Sequence, residues 1–369
     1  MKILKRMIYL LLLVIAILAV STFIFIQQPK FGKAPSGKRL ERIQKSPNYK
    51  NGKFQNLNPT PQLANDVTFA GVMFRFLFGK SERTQPDKAF YFTKTDLKNL
   101  NPEENVYVWM GHSSYFIQLD GKKILVDPVF SGAASPVSFT TKAFAGTDLY
   151  SADDIPELDY LIITHDHWDH LDYETVTKLR KKVKKVITGL GTGEHLEYWK
   201  YNPEIITELD WYENTDLGNG FRITAEPARH FSGRGLQRDQ AIWASFVLEA
   251  PSKTIYIGGD SGYDAHFKKI GEDFPEIDFA ILEDGQYNKD WRYIHLLPDQ
   301  HDKVMSDLKA KTLIPVHNSK FKLAQHPWDE PLNKVSENKK GNYKLQTPAI
   351  GEKFPLDEED YETGKWWEL

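Results

Sequence analysis

Apolar residues are distributed along the chain in three rhythms. The first is an unbroken run: residues 7–26 carry no charge and follow Lys2, Lys5 and Arg6. At ~1.5 Å per residue the run matches a hydrocarbon core of ~30 Å, so it predicts a transmembrane helix, with residues 1–26 as an anchor. Ala19-Val20-Ser21 has the small-x-small form of a cleavage site, yet Phe23-Ile24-Phe25-Ile26 carries the apolar run past it. That continuation favours an uncleaved anchor over a signal peptide. The second rhythm, of helical spacing, occupies residues 67–78, where Phe69, Val72, Met73, Phe76 and Leu77 share one face and Phe74 and Phe78 widen it. Between the two, residues 27–65 are polar and basic without apolar periodicity. They read as a linker, solvated or drawn to anionic lipid headgroups.

The third rhythm starts near residue 104. Strands are predicted at 106–109, 115–119 and 122–126, the last two joined by Asp120-Gly121, a two-residue hairpin signal. Further strands are expected at 160–164, 186–188, 221–226, 243–248, 254–258, 279–282 and 312–316, with helices at 173–185, 193–200 and 299–309. Early hairpins followed by strand–helix alternation imply an α/β domain of two sheets with helices outside them, spanning residues 66–369.

Composition narrows the chemistry. With 47 basic and 50 acidic residues among 369, the chain has no net field to hold a polyanion, which argues against nucleic acid as a partner. Cysteine is absent, so disulfides, thiolate catalysis and thiolate-held zinc are excluded. Any metal must sit on His, Asp or Glu.

Such residues are concentrated in Thr164-His165-Asp166-His167-Trp168-Asp169-His170, directly after an apolar strand. Two imidazoles spaced His-x-His can converge on one ion, while Asp169 and His170 are offset enough to serve a second. His230, Asp260 and His317 each lie just past another apolar run and should project from the same sheet edge. Asp127, in Val126-Asp127-Pro128, and His112, in Gly111-His112-Ser113, also follow strands. His295, in Tyr293-Ile294-His295-Leu296, is a further imidazole able to hydrogen-bond or protonate a reacting oxygen near cations.

The order HxHxDH, then His, Asp and His resembles the metallo-β-lactamase superfamily over roughly residues 104–330. The resemblance implies an αββα sandwich and two divalent ions, zinc first among the candidates. One ion would be held by His165, His167 and His230, the other by Asp169, His170 and His317, with Asp260 bridging and Asp127 in structural support. The words Pro227-Ala228-Arg229-His230-Phe231-Ser232-Gly233-Arg234-Gly235, Gly258-Gly259-Asp260-Ser261-Gly262-Tyr263 and His326-Pro327-Trp328 are similar to the N-acylphosphatidylethanolamine phospholipase D branch. Ascorbate-6-phosphate lactonases share less of this wording. Where that branch follows its last metal histidine with Trp-Gly-Thr-Phe, this chain has Asn318-Ser319-Lys320-Phe321.

The expectation is therefore a membrane-anchored metallohydrolase of phospholipid phosphodiesters, using water activated between two cations. Asp169 and His295 are its expected catalytic groups, and His112, Phe74 and Phe76 its substrate contacts. Alternatives are a lactonase or other carbonyl-ester hydrolase on the same site, an inactive lipid-binding protein, and a di-iron redox protein, which no dinucleotide motif supports. A homodimer is left open. The basic head before the span places the catalytic domain outside the cytoplasm, although the basic residues after it count the other way.

Overall fold

The computed structural model describes residues 2–79 and 81–368, the side chains of residues 76 and 77 excepted. Helix α1 (Lys2–Ile26) covers the apolar run and buries none of its residues. It is followed by α2 (Gly37–Lys45), a small hairpin of β1 (Tyr49–Lys50) and β2 (Lys53–Phe54), and α3 (Phe69–Phe78), whose Thr68 side chain accepts the Gly71 N–H as an N-cap. Two seven-stranded sheets follow.

The first sheet contains β3 (Val106–Trp109), β4 (Tyr115–Leu119), β5 (Lys122–Val126), β6 (Leu158–Ile163), β7 (Val183–Gly189) and β8 (Ile206–Leu209) in chain order, carrying α4 (Tyr173–Leu179) and α5 (Gly193–Tyr198). The second contains β9 (Asn214–Gly218), β10 (Phe221–Glu226), β11 (Ser245–Glu249), β12 (Thr254–Ile257), β13 (Phe279–Glu283), β14 (Thr312–Val316) and β15 (Lys344–Leu345). It carries α6 (His266–Asp273), α7 (His301–Leu308) and α8 (Glu330–Asn338). β16 (Lys353–Pro355) returns to pair with β3 at the edge of the first sheet. Each sheet begins antiparallel and turns parallel, from β5 onward in the first and from β12 onward in the second.

Alternation along the strands builds the layers. Tyr107, Trp109 and Ile117 face Phe246, Ile257 and Ile314 in the core between the sheets. Val106, Val108 and Phe116 point the other way, into a core shared with Val176 and Leu196. Phe267, Val304 and Val335 cover the outer face of the second sheet. The result is the αββα sandwich expected from the pattern. The Asp120-Gly121 turn pairs Leu119 with Lys122, both turn residues having positive φ (46° and 74°) as a two-residue hairpin demands.

Two expectations are corrected. The helix predicted at 173–185 stops at Leu179, because Val183 pairs with Leu158 and the chain enters β7. The stretch 27–65 is not a loose linker. Arg39 ion-pairs with Glu194 (2.7 Å), Glu208 (2.6 Å) and Glu197, Asn56 binds both the N–H and the C=O of His230, and Ile43 and Phe54 are buried in the inter-sheet core. Lys33, Arg39 and Arg42 read as solvated charge because their acidic partners lie more than 150 positions away, whereas Lys38, Lys45, Lys50 and Lys53 are indeed exposed.

At the end of β10, buried Glu226 has one carboxyl oxygen without a partner. Burial, with Asp273 adding, pushes its pKa up to about 8. Once pH exceeds the ordinary carboxylate range, the unfolded chain gains by ionising this group and the folded chain does not, so stability falls until about pH 8. Glu226→Gln removes that dependence. Its Tm is expected to exceed the parent's at pH 8.5, with the gap closing toward pH 5.

Candidate metal centre

The site lies along the strand ends of both sheets. Thr164–His170 leave β6, Asp127 leaves β5, Asp260 follows β12, His317 follows β14 and His230 lies beyond β10. Where strands run parallel, their carboxyl ends share one edge, which is why apolar runs so far apart in sequence deliver their terminal side chains to one place. Two of these residues, and His112 beside them, turn back sharply. His112, Asp127 and His317 have φ of 54°, 41° and 65°, a left-handed backbone that costs a non-glycine residue ~1 kcal/mol or more. Gly259 (φ 58°) lets the chain pass β6 before Asp260, since a Cβ there would stand 3.0 Å from that of Thr164.

One group of nitrogens is formed by His165, His167 and His230. The His167 Nδ1 lies 2.9 Å from His165 Nε2 and 3.2 Å from His230 Nε2. His230 gives its Nδ1–H to the Ile294 carbonyl (2.8 Å), which turns its Nε2 lone pair inward. Burial first, with neighbouring imidazoles adding, holds all three rings neutral, His167 and His230 at about 3. Converging lone pairs repel one another unless a cation lies among them.

The second group is Asp169, His170 and His317. His317 Nε2 stands 3.3 Å from Asp169 Oδ2 and 3.1 Å from Asp260 Oδ2, while His170 Nε2 stands 3.2 Å from Asp260 Oδ1. Asp260 thus reaches this group with both oxygens and His230 of the first group at 3.7 Å. Against the lowering effect of burial, Asp260 and Asp169 raise His317 to about 10 and, with Asp127, also raise His170. His170 Nε2 and Asp260 Oδ1 are both buried without a hydrogen-bond partner. Unsatisfied donor atoms aimed at one point, in a set of imidazoles and carboxylates, fit divalent metal.

Asp127 lies behind this group and is bonded to two residues of the loop after β6. Its Oδ2 receives the Nδ1–H of His170 (2.8 Å) and the hydroxyl of Thr164 (2.6 Å), and its Oδ1 receives the Thr164 N–H (2.9 Å). Asp127→Asn removes the charge that orients His170. It is expected to weaken metal affinity by about 10- to 100-fold in a chelator competition, with the fold retained.

The expected substrate contacts are rearranged. His112 is fully buried behind Asp169, its Nε2 2.9 Å from Oδ2, so it positions that carboxylate and does not line the cavity. A cavity of about 340 Å³ opens onto His167, Asp169, His230, Asp260, His295 and His317, and α3 contributes Phe69 and Val72 to its wall. Phe74 is exposed on the other side of α3, against Phe78, with ring centroids 5.1 Å apart. The Phe76 side chain lies outside the described residues.

His295 does face the cavity, and its Nδ1 is 2.5 Å from Glu283 Oε2. Glu283, which also accepts the Ser261 and Leu296 N–H groups, is a residue sequence reasoning missed, although it too closes an apolar strand. Asp166 was passed over as a spacer between two ligands, yet it binds His195 (3.2 Å) and the Gly233 N–H (2.6 Å) and so ties the ligand loop to its surroundings. The departure at Asn318-Ser319-Lys320-Phe321 lies away from the cavity. All four are buried, and the Lys320 Nζ binds the Val129 carbonyl (2.9 Å) and Asp148 (3.0 Å).

The β-lactamase superfamily domain matches residues 122–318. An uncharacterized protein of Mycobacterium tuberculosis is 32% identical over 296 residues, 79% of each chain. The N-acyl-phosphatidylethanolamine-hydrolyzing phospholipase D 1 of Caenorhabditis elegans is 31% identical over 244 residues, covering 62% of this chain and 68% of its own. Among solved structures, Igni18, a metallo hydrolase of Ignicoccus hospitalis, superposes with a TM-score of 0.51 at 22% identity over 68% of this chain and 97% of its own.

Proposed function

Since the chain belongs to the metallo-β-lactamase superfamily of metal-dependent hydrolases, we propose that it is a membrane-anchored phosphodiesterase of the phospholipase D type, acting on an N-acylphosphatidylethanolamine-like phospholipid. The observation that carries the reading is the character of the cavity. Leu63, Phe69, Val72, Trp291, Ile294 and Leu323 line it, and the imidazole and carboxylate cluster forms its floor. An apolar chain and a phosphate would find their complements side by side. The likeness to the nematode phospholipase and the apolar helix α1 support a lipid substrate.

His165, His167 and His230 would hold one ion, zinc by ligand preference, and Asp169, His170 and His317 a second, with Asp260 between them. Bound divalent ions supply an activated water and neutralise charge developing on phosphorus. The chain's own residues then set the geometry. His112 fixes the rotamer of Asp169, whose remaining acceptor capacity can orient a water for in-line attack. Glu283 fixes His295 through Nδ1, leaving Nε2 as the ring atom available to a substrate oxygen. Phe69, Val72 and Ile294 give the wall beside the reacting centre an apolar surface.

The test is a panel of N-acylphosphatidylethanolamine, phosphatidylcholine, a chromogenic phosphodiester and an acyl lactone, offered to purified metal-loaded protein. The first is expected to be turned over fastest. Lactone hydrolysis with no phosphodiester cleaved would reject the reading in favour of a carbonyl hydrolase. Phe69→Asp is expected to raise KM for long-chain substrate about tenfold, the loss of one apolar side chain's burial, and to leave the chromogenic substrate unaffected.

A further inference from the structure

The segment after α1 is built into the domain beside the ligand loop. The Phe31 ring stacks edge-on against Phe25 of α1 (centroids 5.3 Å apart) and against Trp168 of the ligand loop (5.1 Å). Arg234, buried, lies over Trp168 at 4.0 Å and donates to the Lys30 carbonyl (3.0 Å) and to the carbonyls of Asp166 and Leu171. Trp199 donates to the Pro29 carbonyl (2.7 Å), and the Lys33 N–H to His195 Nδ1 (3.0 Å). Gly32 (φ 74°) is required here, because a Cβ would stand 2.0 Å from that imidazole.

Two other loops touch this turn and carry apolar side chains into solvent. Lys30 Nζ binds the Pro136 carbonyl (2.6 Å), and three residues on stands Phe139, 77% exposed. Gly235 packs toward Phe31, and its neighbour Leu236 is 85% exposed. Leu236 also stands at the rim of a second cavity of about 950 Å³, which reaches His230 past Phe231 and Arg238. Exposed single apolar residues are common, but these two flank the exit of an apolar helix, and Leu236 also borders a way to His230.

Building on the anchor reading above, we infer that Phe139 and Leu236 are a lipid-contact face, inserted in the same bilayer that α1 crosses. The docked turn fixes α1 to the domain, so the side chains around its exit meet the interface together. The substrate class this fits is lipid of the leaflet beside the protein's own anchor, presented to the cavity rim at Leu236.

The chain has no cysteine, so single labels can be placed cleanly. Full-length Phe139→Cys, Leu236→Cys, Leu18→Cys and Lys181→Cys variants, each carrying an environment-sensitive fluorophore, are reconstituted in vesicles with and without spin-labelled lipid. Lys181 is exposed at the start of the loop into β7, the opposite sheet edge from the ligands. The expected result is a blue shift and quenching at 139, 236 and 18, and neither at 181. Quenching at 18 but not at 139 and 236 overturns the lipid-contact face and leaves the anchor standing. No quenching at 18 overturns both. As a second arm, the double variant Phe139→Asp with Leu236→Asp should raise KM on vesicle substrate at least tenfold with the chromogenic phosphodiester unchanged; equal kinetics on vesicles overturns the inference.

Discussion

Asp260→Asn is expected to release metal from both halves of the centre and to lower kcat/KM by at least ~10²-fold. The reason is position. Its Oδ2 stands 3.1 Å from His317 Nε2 and 3.7 Å from His230 Nε2, and its Oδ1 stands 3.2 Å from His170 Nε2, so one carboxylate touches both groups. An amide keeps the shape but loses the charge and one acceptor. His230→Ala, by contrast, should empty mainly the half it shares with His165 and His167. Elemental analysis of the two variants side by side is the measurement, and full occupancy in Asp260→Asn would disprove the bridging assignment.

The second large effect is expected from His295. If its Nε2 exchanges a proton or hydrogen bond with the reacting oxygen, His295→Ala should lower kcat by ~10² to 10⁴-fold on long-chain and chromogenic substrates alike, with KM little changed and metal content intact. Glu283→Gln should fall in the same direction by a smaller factor, because it only loosens the ring's orientation through Nδ1. His295 also lies within reach of Asp260, Glu283 and His317 as a group able to hold an ion. A metal equivalent missing from His295→Ala would therefore identify it as a ligand.

Most of this was legible in the sequence wherever local pattern and tertiary demand agreed. The inward and outward alternation of Val106-Tyr107-Val108-Trp109 and the Asp120-Gly121 turn each specify their structure locally, and the strands 106–109, 115–119, 122–126, 221–226 and 312–316 have the expected bounds. The edge strands β8, β9, β15 and β16 escaped because short, half-polar segments carry little periodicity and form only by pairing with a neighbour. The candidate ligands could be picked out because each lies past an apolar run, and the structure gathers them into groups able to hold an ion. Roles set by side-chain direction were not: His112 ends a run as the ligands do, yet supports Asp169 from behind. Phe69 and Phe74 belong to one apolar helix, and only packing decides which of them meets the cavity.

The left-handed backbone shared by His112, Asp127 and His317 sets function against folding. At each position glycine or asparagine would relax the main chain, so the backbone term alone favours replacements that would strip the site of its side chains. A His317→Gly chain would shed a strained φ but leave Asp169 and Asp260 without the imidazole that stands 3.3 and 3.1 Å from them, so the backbone gain and the electrostatic loss oppose each other. The strained φ at these three positions is a local cost that a backbone shaped for stability alone would not carry.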